Sequence, residues 1–301
     1  MAAWLISLEG TDAGRHLAMA LALLAAVLHA LFGALQKGRF DPWVTRGAID
    51  AHYALIAAPF ALFVVPWPEP FMWPIFAGAV AIHIVYKVLQ AKAYTRGAYA
   101  VVYPVVRGTG PLFTVLVAGA VFGETYAALQ WLGVLLLSGG ILGLAAYNWR
   151  YLTAGRDTLL PALGYALATG VLVAVYTTYD AYGIRATANP FTFLAWFFFL
   201  DGIILPIALR ARIAALPPAQ WPALARLGVI GAIVAFFSFG AVMLATRLDK
   251  VGEAAVLRET STVFAAVIAW AILGEKVGWA RAGLMALIAL GALVMEFGGG
   301  T

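Results

Sequence analysis

The sequence contains no cysteine, and charged residues are scarce in it. The absence of cysteine excludes disulfides, thiolate metal ligands and cysteine nucleophiles. Asp, Glu, Lys and Arg make up 11% of the 301 residues, whereas soluble domains carry roughly 25%. Hydrophobic residues reach 64%, which is more than the surface of a soluble globule tolerates. The composition therefore excludes an ordinary soluble protein and indicates that a lipid bilayer is the solvent.

The basic residues form no patch, although the formal net charge is +5. They stand singly between apolar blocks, so a surface that follows a phosphate backbone is not expected, and no nucleic-acid partner is predicted. The segment before the first apolar block contains Glu9 and Asp12. That block is also too long for the apolar region of a signal peptide, so we expect it to remain as a permanent span.

Ten apolar blocks are long enough to cross the hydrocarbon core as α-helices, because a helical span needs about 20 residues. Turn-forming pairs such as Asn189-Pro190 and Pro217-Pro218 separate the blocks. The blocks show no period-two alternation, so a closed barrel is excluded and the fold is predicted to be all-α. The predicted spans are Leu17–Gln36, Ile49–Val65, Trp73–Tyr94, Tyr99–Phe122, Tyr126–Tyr147, Thr158–Tyr182, Phe191–Leu209, Trp221–Thr246, Val251–Leu273 and Val277–Phe297.

The two halves of the chain repeat one motif at a shift of 151 residues. This shift superposes Arg107 on Arg258, Phe113 on Phe264, and the pair Gly123-Glu124 on Gly274-Glu275. Five spans per half is an odd number, so the halves must face opposite ways across the membrane. We therefore predict two inverted five-helix repeats, at residues 16–149 and 158–297. Inverted repeats are typical of transporters that bind their substrate near the membrane midplane, between the halves.

Three stretches carry a resemblance to a known family. The ten-span sequence resembles the EamA-type transporters of the drug/metabolite transporter superfamily over nearly its whole length. The resemblance implies transport of a small solute, and members of the superfamily move amino acids, choline, nucleotide sugars and sugar phosphates. The stretches are Tyr103–Phe113, Tyr176–Arg185, and Leu257–Phe264 followed by Trp270 through Glu275.

Buried charges are the strongest candidates for a substrate site, because a charge at the bilayer centre costs roughly 2.5–3.5 kcal/mol. Arg107 and Arg258 occupy equivalent positions in the two repeats, and a guanidinium group binds carboxylate or phosphonate through two parallel bonds. The alternative is that each arginine is structural. Adjacent residues point about 100° apart on a helix, so Glu259 is not expected to pair with Arg258. It could instead pair with Arg107 across the repeats, or bind an ammonium group or a proton.

The third span carries a polar stripe of His83, Lys87 and Gln90, which share one helical face. We predict that this stripe lines a water-accessible cavity, the alternative being a lysine paired with an acid. Tyr103, Tyr176 and Trp196 are predicted as aromatic walls of the site, the alternative being packing. The remaining polar residues within or near spans carry weaker expectations. We expect His29 to be a packing residue, Asp201 to pair with a base, and Asp180 to lie near a helix end.

The function predicted from these features is secondary transport by alternating access across the inner membrane of a bacterium. Three predicted buried cations against two acids favour a zwitterion or organic anion, such as an amino acid or aminophosphonate. A channel or membrane scaffold is one alternative. An intramembrane transferase is another, but no catalytic motif such as His-Glu-x-x-His occurs in the sequence. We predict no enzyme activity, cofactor or metal. The partners are a solute and the lipid bilayer, and coupling to a proton or ion and a monomeric or dimeric state are left open.

Overall fold

The computed structural model describes residues 1–36, 40–151, 158–273 and 278–299. These residues form helices and no strand, which confirms the all-α prediction. The α-helices are α1 (Ala2–Ser7), α2 (Asp12–Gln36), α3 (Pro42–Pro59), α4 (Met72–Arg96), α5 (Tyr99–Phe122), α6 (Ala128–Arg150), α7 (Leu159–Ala186), α8 (Pro190–Ala208), α9 (Arg210–Ala214), α10 (Trp221–Leu248), α11 (Val251–Glu259), α12 (Ser261–Leu273) and α13 (Trp279–Phe297). A π-helical turn, Phe60–Val64, extends α3, and a short 3-10 helix, Pro218–Gln220, precedes α10.

Among the described residues, nine helical segments are long and apolar enough to cross a membrane. The ninth predicted span, Val251–Leu273, is not among them, because it is interrupted: α11 ends at Glu259 and α12 begins at Ser261. The hydroxyl of Thr260 donates to the carbonyl of Leu257 at 2.6 Å. At the same point the backbone N–H of Thr260 donates to the Leu257 carbonyl at 3.1 Å, three residues back, whereas a regular α-helix bonds four residues back. The helix therefore breaks within the repeated motif, where a continuous span was expected.

Local signals in the sequence begin the helices that line the interior. Asp41 caps α3 by accepting from the backbone N–H of Trp43 at 2.9 Å, and Asn189 caps α8 by accepting from Phe191 at 3.0 Å. A proline follows each cap at the first helical position, where its missing N–H costs nothing. The cap at Asp41 starts the second span seven residues earlier than the hydropathy block suggested. Asp50 therefore lies inside the span instead of at its edge.

The helix packing has the symmetry that an inverted repeat requires. A shift of 151 residues maps α2 onto α7, α3 onto α8, α4 onto α10, α5 onto α11 with α12, and α6 onto α13. Helix α10 packs on α2 as α4 packs on α7, and α11 and α12 pack on α2 as α5 packs on α7. The pairs α3–α8 and α6–α13 map onto themselves. Packing between the halves is thus extensive, and the interior of the protein is the interface between the repeats.

The symmetry is broken at one pair of equivalent interfaces. Helix α10 lies tightly against α3, since a Cβ atom added to Gly231 would meet Ile49 Cγ1 at 2.6 Å. The equivalent position in α4 is Val80, which lines an apolar groove of about 500 Å³ between α4 and α8. One interface is therefore tightly packed where its counterpart leaves an apolar groove.

Glycine backbone contacts hold α6 against α13. A Cβ atom at Gly133 would lie 2.4 Å from the backbone nitrogen of Met295. The sequence also contains the close-packing motif Gly139-x-x-x-Gly143. Gly143 does face Leu284 of α13, but Gly139 is exposed and has no atom within 4 Å of an added Cβ. The contact that brings the two helices together therefore depends on Gly133, and Gly139 contributes nothing to it.

Gly133→Ala should lower stability by about 1–3 kcal/mol, because the new methyl group meets backbone atoms that cannot rotate away. The melting temperature of the purified variant measures this effect. Gly139→Ala is the matched control on the same helix, and it should melt at or slightly above the temperature of the unmodified protein. Equal melting of the two variants would contradict the proposed backbone contact.

Candidate functional site

An ion cluster joins the two repeats in the protein interior. Arg107 Nε lies 2.9 Å from Glu259 Oε2, and Arg258 Nε donates to Glu259 Oε1 at 3.2 Å. All three side chains are buried, and Tyr103 places its ring 5.8 Å from the Arg107 guanidinium carbon. The pairing of Arg107 with Glu259 is the one that the sequence allowed. The expectation that Arg258 and Glu259 would not pair was wrong, because α11 ends at Glu259 and regular helical geometry no longer separates the side chains.

Two arginines share one carboxylate in this cluster, so one positive charge is left over. Both guanidinium groups also have a buried Nη2 atom without a hydrogen-bond partner. Nearby, the buried hydroxyls of Ser261 and Thr262, at the start of α12, lack partners as well. Such unused buried donors are costly in a stable core. Their concentration at a helix break between repeats is the arrangement of an anion-binding site.

A second network surrounds Lys87. Its ammonium group contacts Asp50 Oδ2 at 2.6 Å and Asp201 Oδ2 at 2.8 Å, and it donates to the hydroxyl of Tyr53 at 3.0 Å. Tyr53 in turn donates to Asp201 Oδ2, and Arg46 Nε lies 2.7 Å from Asp50 Oδ1. Lys87 is therefore paired with acids in this conformation, so a direct substrate contact would require this network to open. The expectation that Asp201 pairs with a base is confirmed.

The other two residues of the polar stripe in α4, His83 and Gln90, do not contact the acids that surround Lys87. His83 is buried and its Nε2 lies 2.8 Å from Asp180 Oδ2 of α7. Gln90 donates to the hydroxyl of Tyr86 at 2.6 Å. The placement of Asp180 near a helix end was wrong, because α7 continues to Ala186 and the carboxylate is fully buried.

A cavity of about 50 Å³ lies beside these networks. Its polar lining includes His29, Arg46, His83 and Asp201. Aromatic rings form most of the remaining wall, and they come from six helices. These aromatic residues are Phe32, Tyr53, Tyr86, Tyr176, Phe197, Phe198 and Phe239.

The cavity lies close to the arginine cluster. His29, on its wall, is within electrostatic range of Arg107 and Arg258, and so is Tyr176. The ring of Tyr176 contacts that of His83, with centroids 4.6 Å apart and planes tilted by 38°. Trp196 is buried against Trp67 and Trp73 and does not line the cavity. Of the predicted aromatic walls, the structure thus places Tyr176 at the cavity and Tyr103 at the arginine cluster.

Hydropathy does not indicate Asp50 as a site residue, but the internal repeat does. The shift of 151 residues that superposes Arg107 on Arg258 also places Asp50 on Asp201. The two aspartates come from α3 and α8, which cross each other, and they converge on the same lysine. A repeated acid within a membrane span is itself an indication of a site.

The repeated Gly-Glu pair has a visible role in the first half. Gly123 ends α5 in the left-handed region at φ +67°, and Glu124 then accepts hydrogen bonds from the backbone of Val251 at 2.9 Å and Gly252 at 3.4 Å. A carboxylate at a helix N-terminus is favourable, so Glu124 connects the first repeat to α11. Arg185 of α7 reaches the same carboxylate at 3.3 Å. Gly274 and Glu275, and the side chain of Trp270, lie outside the described residues.

Further polar contacts connect the repeats at the same face of the protein. Arg247 pairs with Glu9 at 2.6 Å, and Gln130 donates to Glu253 at 2.7 Å. Burial raises the pKa of the adjacent Asp249 carboxyl, against the lowering effect of a hydrogen bond from the Lys250 N–H. The halves are thus joined by polar contacts at the face where α5, α7 and α10 end.

Comparison with known proteins agrees with this architecture. Residues 160–297 match the sequence model of the EamA-like transporter family. A solved structure, described only as the crystal structure of a protein, shares the fold with a TM-score of 0.75 at 20% identity, over 96% of this chain and 98% of its own. An uncharacterized protein of Sinorhizobium fredii, y4nH, is 32% identical over 77 residues, which are 26% of this chain and 66% of that protein.

The fold and the buried charges define a multi-pass helical membrane protein with an interior polar site. The second half of the chain, residues 160–297, is similar to the EamA-like transporter family, in agreement with the resemblance seen in the sequence. The family indicates a membrane transporter of small solutes, and its members are transporters and not enzymes. Within the described ranges, no group of three or more His, Cys, Asp or Glu side chains could hold a metal ion.

Proposed function

We propose that this protein is a secondary transporter that moves a small zwitterion or organic anion, such as an amino acid or aminophosphonate, by alternating access. The observation that carries the proposal is the buried cluster in which Arg107 and Arg258 share Glu259. The excess positive charge and the unpartnered Nη2 atoms suit a carboxylate or phosphonate group. A substrate anion would take up guanidinium bonds that Glu259 alone does not satisfy.

The position of the cluster supports a carrier. Arg107 belongs to the first half of the chain, and Arg258 and Glu259 lie at the break between α11 and α12 in the second. Substrate sites of inverted-repeat carriers lie between the halves and use discontinuous helices. We also propose that residues 16–149 form an EamA-like repeat equivalent to 158–297. No specific observation favours a channel, a scaffold or a transferase over this assignment.

The proposed function is tested by a thermal-shift screen of the purified protein. Amino acids, phosphonates, sugar phosphates and choline-like amines would be added separately, because a ligand that binds only the folded state raises the melting temperature. At a concentration 100 times its Kd, a ligand stabilises by about 2.7 kcal/mol. We expect zwitterions or organic anions to raise the melting temperature and to be taken up by proteoliposomes. If no solute does either, the proposal is wrong.

The orientation follows from the distribution of basic residues. With Lys87, Arg107 and Arg258 set aside, twelve of the sixteen remaining basic residues lie on the side of the odd-numbered loops and four on the side of the termini. Arg46 is one of the twelve and lies inside α3 beside Asp50, so eleven remain on that side without it. The positive-inside rule then places both termini outside the cytoplasm. We propose the inner membrane of a bacterium as the location. Lys37, Arg39, Arg156 and Lys276 enter this count from the sequence and lie outside the described residues.

Cysteine labelling in intact cells tests the orientation directly, because the chain has no native cysteine. Ala3→Cys, exposed in α1, should react with a membrane-impermeant maleimide. Ala211→Cys, exposed in α9 on the opposite side, is the matched control and should react only after the cells are opened. The reverse pattern would place the termini in the cytoplasm.

A further inference from the structure

The charges around the aromatic cavity do not balance. Among the described residues beside it, the carboxylates of Asp50, Asp180 and Asp201 face two permanent cations, Arg46 and Lys87. His83 can balance the third carboxylate only when it is protonated. With a neutral His83, these groups carry one more negative charge than positive, and the positive charge left over at the arginine cluster, within electrostatic range of Asp180, offsets it only from a distance.

Within the described residues, the acids of the second repeat, Asp180 and Asp201, make no ion pair with a base on their own helices, although Asp50 Oδ1 of the first repeat is likewise buried without a hydrogen-bond partner. Asp180 Oδ1 and Asp201 Oδ1 are both buried and have no hydrogen-bond partner. Asp50 has Arg46 on its own helix, one turn away. Asp201 has no basic residue anywhere in α8 and depends on Lys87 of α4.

The internal repeat shows the same difference between the halves: both supply an aspartate, but only the first supplies the cations that pair with it. The shift of 151 residues reproduces the carboxylate, Asp50 becoming Asp201, but it reproduces neither cation. Arg46 corresponds to Phe197 and Lys87 corresponds to Ser238, and both of these line the cavity. The chain thus keeps two equivalent acids while supplying cations from only one half.

The cavity wall suits a cation as well. Tyr53, Tyr86, Tyr176, Phe197 and Phe239 surround the space beside Asp201. The negative face of an aromatic ring attracts ammonium groups, by about 2 kcal/mol or more once water is removed. A carboxylate oxygen without a partner, within a wall of aromatic rings, is an arrangement that binds an ammonium group.

We propose that this cavity is the subsite for the ammonium group of the substrate, with Asp201 as its direct counter-charge and Asp180 reinforcing the negative potential. The inference rests on the proposed function, in which Arg107 and Arg258 bind the anionic group. One end of the site has an excess positive charge and the other an excess negative charge. The substrate is then a zwitterion whose anionic group is bound by the arginine cluster and whose ammonium group is bound in the cavity beside that cluster.

The test uses three matched probes on the purified full-length protein: leucine, 4-methylpentanoate, which lacks the ammonium group, and isopentylamine, which lacks the carboxylate. The same design applies to alanine and phenylalanine with their des-amino and decarboxylated analogues. For the amino acid that stabilises the protein most, Asp201→Asn should weaken binding by roughly 10- to 150-fold. Binding of the des-amino acid should change less than about threefold, the usual context-dependent scatter.

Controls separate this inference from the proposed function. Asp180→Asn should weaken amino-acid binding in the same direction, and it keeps the inference testable if Asp201→Asn does not fold. Asp249→Asn, a partly buried acid outside the site, should leave all affinities unchanged. If des-amino acids bind the unmodified protein as well as amino acids do, the ammonium subsite is wrong and the anion transporter stands. If neither these probes nor any solute of the wider screen binds, both proposals fail.

Discussion

Arg107→Ala should lower the affinity for an anionic or zwitterionic substrate by about 10- to 150-fold, the effect of losing a charge-assisted bond of about 1.5–3 kcal/mol. Arg107→Lys should fail nearly as badly, because an ammonium group keeps the charge but cannot form two parallel bonds. Transport by proteoliposomes should fall with affinity. Substrate affinity and the melting temperature without substrate should be measured on the same purified variants.

The structure makes this experiment cleaner than the sequence suggested. After removal of Arg107, Glu259 still accepts a bond from Arg258 at 3.2 Å, so the carboxylate keeps a counter-charge. We therefore expect a smaller loss of stability than for a broken isolated pair. Arg281→Ala, which removes a bond of 3.1 Å to Asn148 away from the site, is the matched control and should bind substrate normally.

A different outcome would relocate the site. If Arg107→Ala and Arg258→Ala both bind substrate normally, the anion is not held by the arginine cluster. The polar stripe of His83, Lys87 and Gln90 then becomes the leading candidate. A variant that melts earlier but binds with unchanged affinity would assign the arginine a structural role.

Lys87→Met should destabilise the protein by about 3–5 kcal/mol, the usual cost of removing one partner from a buried ion pair. Asp50 would retain Arg46, but Asp201 would lose the lysine that contacts it directly, the one ion pair it makes among the described residues. Thermal unfolding of the purified variant measures the loss. A loss of about 3–5 kcal/mol is a large part of the stability of a typical domain. We therefore also expect the single variant to be expressed weakly.

The double variant Lys87→Met/Asp201→Asn identifies the cause. Neutralising Asp201 removes the uncompensated charge, so the double variant should recover much of the stability lost in the single one. Lys92→Met, which removes a half-exposed lysine farther along α4, should melt close to the unmodified protein. A double variant that melts even earlier than Lys87→Met would show that the lysine stabilises the fold by packing and not by charge.

The helical architecture followed from the sequence because hydropathy sums over whole segments. About twenty apolar residues suffice to name a span, and errors of a few residues at its ends do not change the result. The inverted repeat was visible for a similar reason, since Arg107 and Arg258 recur at a fixed shift. Even the contact of Arg107 with Glu259 was within reach, because symmetry places these residues at the interface between the halves.

Individual polar residues were harder to place, because their environment depends on where a helix starts, bends or ends. Asp50 was overlooked since the Asp41 cap begins α3 before the apolar block does. The break at Thr260, where the backbone bonds three residues back and not four, was not anticipated. Asp180 was placed near a helix end, whereas α7 continues past it and buries it against His83.

The sequence by itself determined that this is an all-α membrane protein of two opposed halves with buried charges between them, because segment length, composition and repetition are properties of the chain. Only the tertiary structure decided which charges neutralise one another. Lys87 was an apparent free cation in the sequence, and the fold places it between Asp50 and Asp201 from two other helices. Electrostatic energy depends on distances of a few ångströms between residues far apart in sequence, and those distances exist only after the helices have packed.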